Sequence, residues 1–156
     1  MAVTVSVVMT IVGLGLIAAA MMRRDPREWT PAAGADAALA AVLVLVTTSR
    51  VLSPQYLIWL LGVAAVCLTM AQTRQRPAVL LILAATALTH MEFPVLWKGV
   101  LAGEHLAVVT LAVRNVLLAA ATVLALTAVW RRSPTSEKNW GLCIWAGRRR
   151  TGMMFG

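Results

Sequence analysis

The chain has 156 residues, 60% of them hydrophobic and 13% charged, and a mean hydropathy of +0.82. That is too apolar for an ordinary soluble domain, so the composition points to an integral membrane protein. The net charge of +8 comes from arginines set in small groups beside apolar runs. That pattern orients a membrane protein and makes no binding groove for nucleic acid, so a nucleic-acid partner is excluded.

The first apolar run, Ala2 to Met22, has the length of one spanning helix, since about 20 residues at 1.5 Å each cover a hydrocarbon core of roughly 30 Å. A secretory signal would carry positive charge before its apolar run. Here Arg23, Arg24 and Arg27 follow it, which predicts the N-terminus outside and these arginines inside.

The stretch from Ala37 to Ala71 would reach about 52 Å as one helix, well beyond a membrane core. It must break, and the polar group from Arg50 to Tyr56 marks the place. Two short apolar arms result, Ala37 to Thr48 and Leu57 to Ala71. Ser53 and Pro54 form a helix-start signal, with Ser53 as N-cap and Pro54 at the first helical position. Gln55 and Tyr56 then fall in the first turn.

A basic turn with Arg74 and Arg76 leads to a further apolar run from Ala78 to about Thr89. Phe93, Pro94, Trp97 and Lys98 mark an interface, because proline ends the helix and tryptophan and lysine favour the headgroup zone. The last run, Leu106 to Trp130, is long enough to cross with some tilt and ends in Arg131 and Arg132.

Counting charges tests these assignments against one another. With Arg50 and Lys98 outward, the inward loops hold Arg23, Arg24, Arg27, Arg74, Arg76, Arg131 and Arg132, seven cations against two. The bias requires both arms around residues 49–56 to cross, so the expected architecture is an all-α, polytopic membrane bundle of about five spans over residues 1–132. Residues 133–156 are polar and basic, with Trp140, Trp145 and Arg148 to Arg150. They read as a disordered cytoplasmic tail, with contact to the inner membrane surface as the alternative.

Two polar groups can carry function. The first is the outward turn, where the free N–H groups and positive dipole end of the helix starting at Pro54 lie beside Arg50. In a membrane the anion suited to that corner is a lipid phosphate. Arg50 would supply charge and a bidentate fork, and Gln55 and Tyr56 hydrogen bonds. The competing reading has Arg50 reaching to headgroups while Tyr56 and Trp59 serve as interfacial anchors.

The second group is Arg114 and Asn115, about eight residues or 12 Å from the outer end of the last helix. Thr110, Arg114, Asn115 and Thr122 fall within an arc of about 140° at 100° per residue. A charge at that depth faces a bundle interior or a watery cavity, or else turns outward with help from Glu104; Glu92, on the same outer side, could face the same cavity, although a glutamate in a solvated interfacial loop is the commoner case. Metal and cofactor signals are missing: Cys67, Cys143, His90 and His105 stand without partner ligands at helical spacing. No Ser-His-Asp order, phosphate loop or paired-acid spacing appears either.

The stretch "SRVLSPQYLIWLLG", Ser49 to Gly62, resembles the "SK-hydrophobic-SPQYLLWLLP" signature of the glycosyltransferase 87 family. "FPVLW", Phe93 to Trp97, and "LAVRNVLL", Leu111 to Leu118, are similar in order and distance. The resemblance covers roughly Asp36 to Arg132. It implies a GT-C type enzyme that transfers a hexose, specifically mannose, from a polyprenyl-phosphate donor to a glycan or glycolipid acceptor at the outer face of the plasma membrane. It carries to Arg50, Ser53, Pro54, Gln55, Tyr56 and Trp59, with Arg50 in place of lysine and Gly62 where proline is common.

The family's catalytic aspartate lies in a first outer loop, and no residue here matches it, since Asp25 and Asp36 are assigned inward. The resemblance therefore implies a truncated or split member working with an upstream-encoded N-terminal half. The alternative is a noncatalytic membrane protein: a lipid-binding or assembly partner, or an inactive remnant.

Overall fold

The computed structural model describes residues 2–25, 29–49, 54–92, 99 and 102–131. Among them are five helices and no strand: α1 Ala2–Met22, α2 Pro31–Thr48, α3 Pro54–Thr69, α4 Arg76–Met91 and α5 His105–Trp130. The fold is all-helical. Three helices are long and apolar enough to cross a membrane, over Val3–Met22, Pro31–Thr48 and His105–Trp130, while α3 and α4 are shorter apolar helices of 16 residues each. The expected tail lies outside the described residues.

Local chemistry sets the helix ends. α3 opens at Pro54 as expected, with Gln55 and Tyr56 in its first turn; Ser53, the expected cap, lies outside the described residues. α2 starts six residues before the expected apolar arm. Thr30 caps it by accepting from the Ala33 N–H at 3.2 Å, and Pro31 takes the first helical position. This puts Asp36 inside a helix instead of in the loop before it. At the other end of α2, Ser49 turns extended, and its backbone N–H and hydroxyl both donate to the Val46 carbonyl, at 3.3 and 2.8 Å. The carbonyl that the ended helix leaves open is thereby satisfied.

Helix α2 lies at the centre, against α1, α3 and α5, and α4 runs along α5 in the most extensive pairing of the bundle. Leu39 and Leu43 of α2, Leu60 of α3, Ile82 of α4 and Leu118 of α5 are fully buried where these surfaces meet. Ala64, Ala85, Ala121 and Ala125 alternate with them, and such small side chains let helix backbones approach closely. Gly13 does the same for α1: a Cβ there would stand 2.6 Å from Val44 Cγ1, so α1 and α2 touch backbone to side chain.

Cross-helix hydrogen bonds fix the directions. Ser6, early in α1, donates to the Thr48 carbonyl at the end of α2, and the Thr10 and Thr48 hydroxyls are 2.7 Å apart. Arg24, just past α1, donates to the Val129 carbonyl at the end of α5. α1 is thus antiparallel to α2 and parallel to α5, and successive helices alternate. One end of the bundle collects the start of α1, Ser49, Gln55, Tyr56, Glu92 and the start of α5. The opposite end collects Met22 to Asp25, Trp29, Thr30, the α3–α4 turn and the end of α5.

Candidate functional site

At the end of the bundle that holds the turn between α2 and α3, Gln55 is exposed and Tyr56 is half-buried against the core. The Tyr56 and Trp59 rings stand 5.6 Å apart at 56°, a tilted pair that fixes the phenol at the rim of α3. Arg50 and Ser53 lie outside the described residues, so the anion corner expected there is described through Ser49, Gln55 and Tyr56 alone.

Arg114 is placed fully. Its Nη1 donates to Glu92 Oε2 at 3.0 Å, and the two side chains retain 8% and 5% of their surface. Its Nε and Nη2 donate to Asn115 Oδ1 at 3.3 and 3.2 Å. The guanidinium is therefore used on three nitrogens, and a carboxylate compensates its charge. Burying it without that partner would cost several kcal/mol, roughly 3–5 in the cases where a buried pair is broken. Of the two expected surroundings for Arg114, the bundle interior is the one found, and Glu92 takes the partner role that sequence proximity had offered to Glu104. Glu104 instead sits exposed at the N-cap of α5.

The polar arc expected on α5 is shared between neighbours. Arg114 faces α4 through Glu92, whereas the Thr122 hydroxyl donates to Thr47 of α2 at 3.4 Å. Asn115 is an exposed residue whose side-chain oxygen serves Arg114, and Thr110 turns its hydroxyl back to Leu106 O at 2.9 Å. Thr122 lies on the wall of a cavity between α1, α2 and α5, and Arg114 is not among the residues of that wall.

Sequence reasoning missed two features. An open, mostly apolar cavity of about 680 Å³ lies between α1, α2 and α5, with Met9, Gly13, Leu16, Val44, Thr122 and Leu126 on its wall. Its hydroxyl groups, Ser6, Thr47, Thr48 and Thr122, bond helix carbonyls or one another and leave the space greasy. The second feature is a buried polar knot at the opposite end. Asp36 accepts from the Thr73 hydroxyl at 2.6 Å and from the Arg74 N–H at 3.3 Å, and Gln75 Nε2 donates to Asp36 O and Ala125 O at 3.2 and 3.3 Å. The knot ties the α3–α4 turn to α2 and α5. A lone acid inside an alanine run was the signal for it, but its partners lie more than thirty residues away.

Among the described residues, no group of three or more His, Cys, Asp or Glu side chains could hold a metal ion. The sequence matches no family model, no curated protein and no solved structure.

Proposed function

We propose that the chain is a multi-pass plasma-membrane protein of five crossings that binds a polyprenyl-phosphate sugar at the outer face, as the donor-binding part of a glycosyltransferase. The carrying observation is the gathering of Ser49, Gln55, Tyr56 and the Glu92–Arg114–Asn115 group at one end of the bundle, opposite the arginine-rich end. The positive-inside bias turns that end outward. The resemblance of residues 49–62 to the glycosyltransferase 87 signature supports mannose as the sugar and a glycan or glycolipid as the acceptor.

In this reading Arg50 supplies a charged fork to the donor phosphate, Ser53 caps α3, and Gln55 and Tyr56 bond the phosphate oxygens. Asn115 offers an amide at the same end. Arg114, being compensated by Glu92, acts by holding α4 against α5 and by orienting Asn115. Glu92 is committed to Arg114 and Asp36 to the knot at the other end, and Glu104, exposed at the N-cap of α5, matches no motif of the family, so none of the three is assigned the acid–base step. The transfer step then belongs with an upstream-encoded N-terminal half. That same commitment of Glu92 and Asp36 favours a second reading, a noncatalytic lipid-phosphate-binding membrane protein.

Photocrosslinking with a photoactivatable polyprenyl phosphate in membranes tests the proposal. Arg50→Ala is expected to lower crosslinking about tenfold, the loss of one charge-assisted contact at roughly 1.5 kcal/mol. Unchanged crosslinking would contradict a phosphate at Arg50. Crosslinking without sugar transfer, even with the upstream half co-expressed, would select the noncatalytic reading.

A further inference from the structure

At the end of the bundle opposite the proposed donor site, α5 finishes at Trp130 with its last carbonyls left open by the helix geometry. Separate parts of the chain bring guanidinium groups to that helix end. Arg24, past the end of α1, donates Nη2 to the Val129 carbonyl at 2.6 Å, and Arg74, in the α3–α4 turn, donates Nη1 to the Arg131 carbonyl at 3.1 Å. Arg23 stands 5.0 Å from the centre of the Trp130 ring. Arg131 and Arg76 add two more cations at this end.

Like charges brought together need an opposing charge. The helix end offers about half a negative charge. The described acids at this end are Asp25 and Asp36, and Asp36 is buried, accepting from Thr73 and the Arg74 backbone. Five arginines against two carboxylates and a helix terminus leave a surplus of more than one positive charge. Arginine forks fit phosphate oxygens in pairs and shed water more readily than lysine does, so a phosphate is the suited counter-charge.

The surroundings of these arginines are apolar. Met22 and Trp29 are 77% and 61% exposed, and the partly exposed Trp130 ring lies under Arg23. The cavity between α1, α2 and α5 starts nearby: Leu16 precedes Arg23 by seven residues and Leu126 precedes Val129 by three, about 10 and 5 Å along their helices. A free phosphate would use the arginines and leave these apolar surfaces unused. A phospholipid uses both.

We propose that Arg23, Arg24, Arg74 and Arg131 bind the headgroup of an anionic phospholipid, with an acyl chain lying in the cavity between α1 and α5. The site rests on the membrane reading above and is independent of any donor at Arg50. The tryptophans supply the interfacial contact, and the cavity volume of about 680 Å³ is of the size that accepts a drug-sized apolar guest or a single lipid chain.

The test uses the full chain in nanodiscs of phosphatidylcholine containing one tenth phosphatidylglycerol, with retained lipid counted by native mass spectrometry. The parent is expected to hold one phosphatidylglycerol, about tenfold preferred over phosphatidylcholine. Arg23→Gln with Arg24→Gln lowers retention at least fivefold, and Leu16→Trp lowers it by filling the cavity while the arginines stay. Arg23→Lys with Arg24→Lys keeps the charge and at least half of the binding. Equal retention of the two lipids, unchanged binding in the glutamine variant, an equal loss in the lysine variant, or displacement by millimolar inorganic phosphate would each overturn the proposal. A chain that stays outside the discs would contradict the membrane reading itself and remove the lipid site with it.

Discussion

Glu92 and Arg114 form a buried ion pair. A pair in such a place is costly to break and cheap to replace, because removing one partner strands a charge whereas removing both strands none. Glu92→Ala is therefore expected to lower stability by about 3 kcal/mol, read from the loss of helical signal on heating the purified protein in detergent. Glu92→Leu combined with Arg114→Met should stay within about 1 kcal/mol of the parent or exceed it. If the double variant falls as far as the single one, the pair does more than neutralise itself. Arg114 was legible in the sequence as a lone cation in an apolar run. Its partner was legible only as an acid on the same side, since Glu92 is 22 residues away and periodicity carries no information across a loop that would pair the two.

The contact of α1 with the rest of the bundle depends on a few small residues. Most of its side chains point outward, with Ile17 and Ala20 its buried hydrophobic residues, and Gly13 lets it close on Val44. Gly13→Leu would place side-chain atoms where Val44 now stands, an overpacking that costs typically about 1–3 kcal/mol. The expected result is loss of the disulfide crosslink otherwise formed between Ser6→Cys and Thr48→Cys, two positions joined by a hydrogen bond. Undiminished crosslinking would contradict this packing of α1. Helix positions were legible where an apolar run met a clear start signal: α1 spans the expected residues, and α3 opens at Pro54. The same kind of signal at Thr30 and Pro31 went unread, because the first turns of α2 are alanine and glycine and carry little hydropathy.

Across the whole molecule, alternation of five helices separates two chemically different ends. One end has the α2–α3 turn and the buried Glu92–Arg114 pair, and the other gathers Arg23, Arg24, Arg74, Arg76 and Arg131. Charge counting anticipated that division, since it depends only on which loops share a side. It could not say how polar groups meet within an end, such as Asp36 with Thr73 or Arg24 with the Val129 carbonyl, because those contacts follow from helix rotation and tilt. Helices α3 and α4, at 16 residues, are about 24 Å long, somewhat short for a core of roughly 30 Å. The crossing proposed for them is therefore the most exposed to test. Single cysteines at Gln55, in the first turn of α3, and at Gln72, in the α3–α4 turn, both exposed, provide it in a background carrying Cys67→Ser and Cys143→Ser. With a membrane-impermeant maleimide, Gln55→Cys is expected to label in intact cells and Gln72→Cys only after permeabilisation. Equal accessibility of the two, or the reverse order, would contradict the five-crossing arrangement.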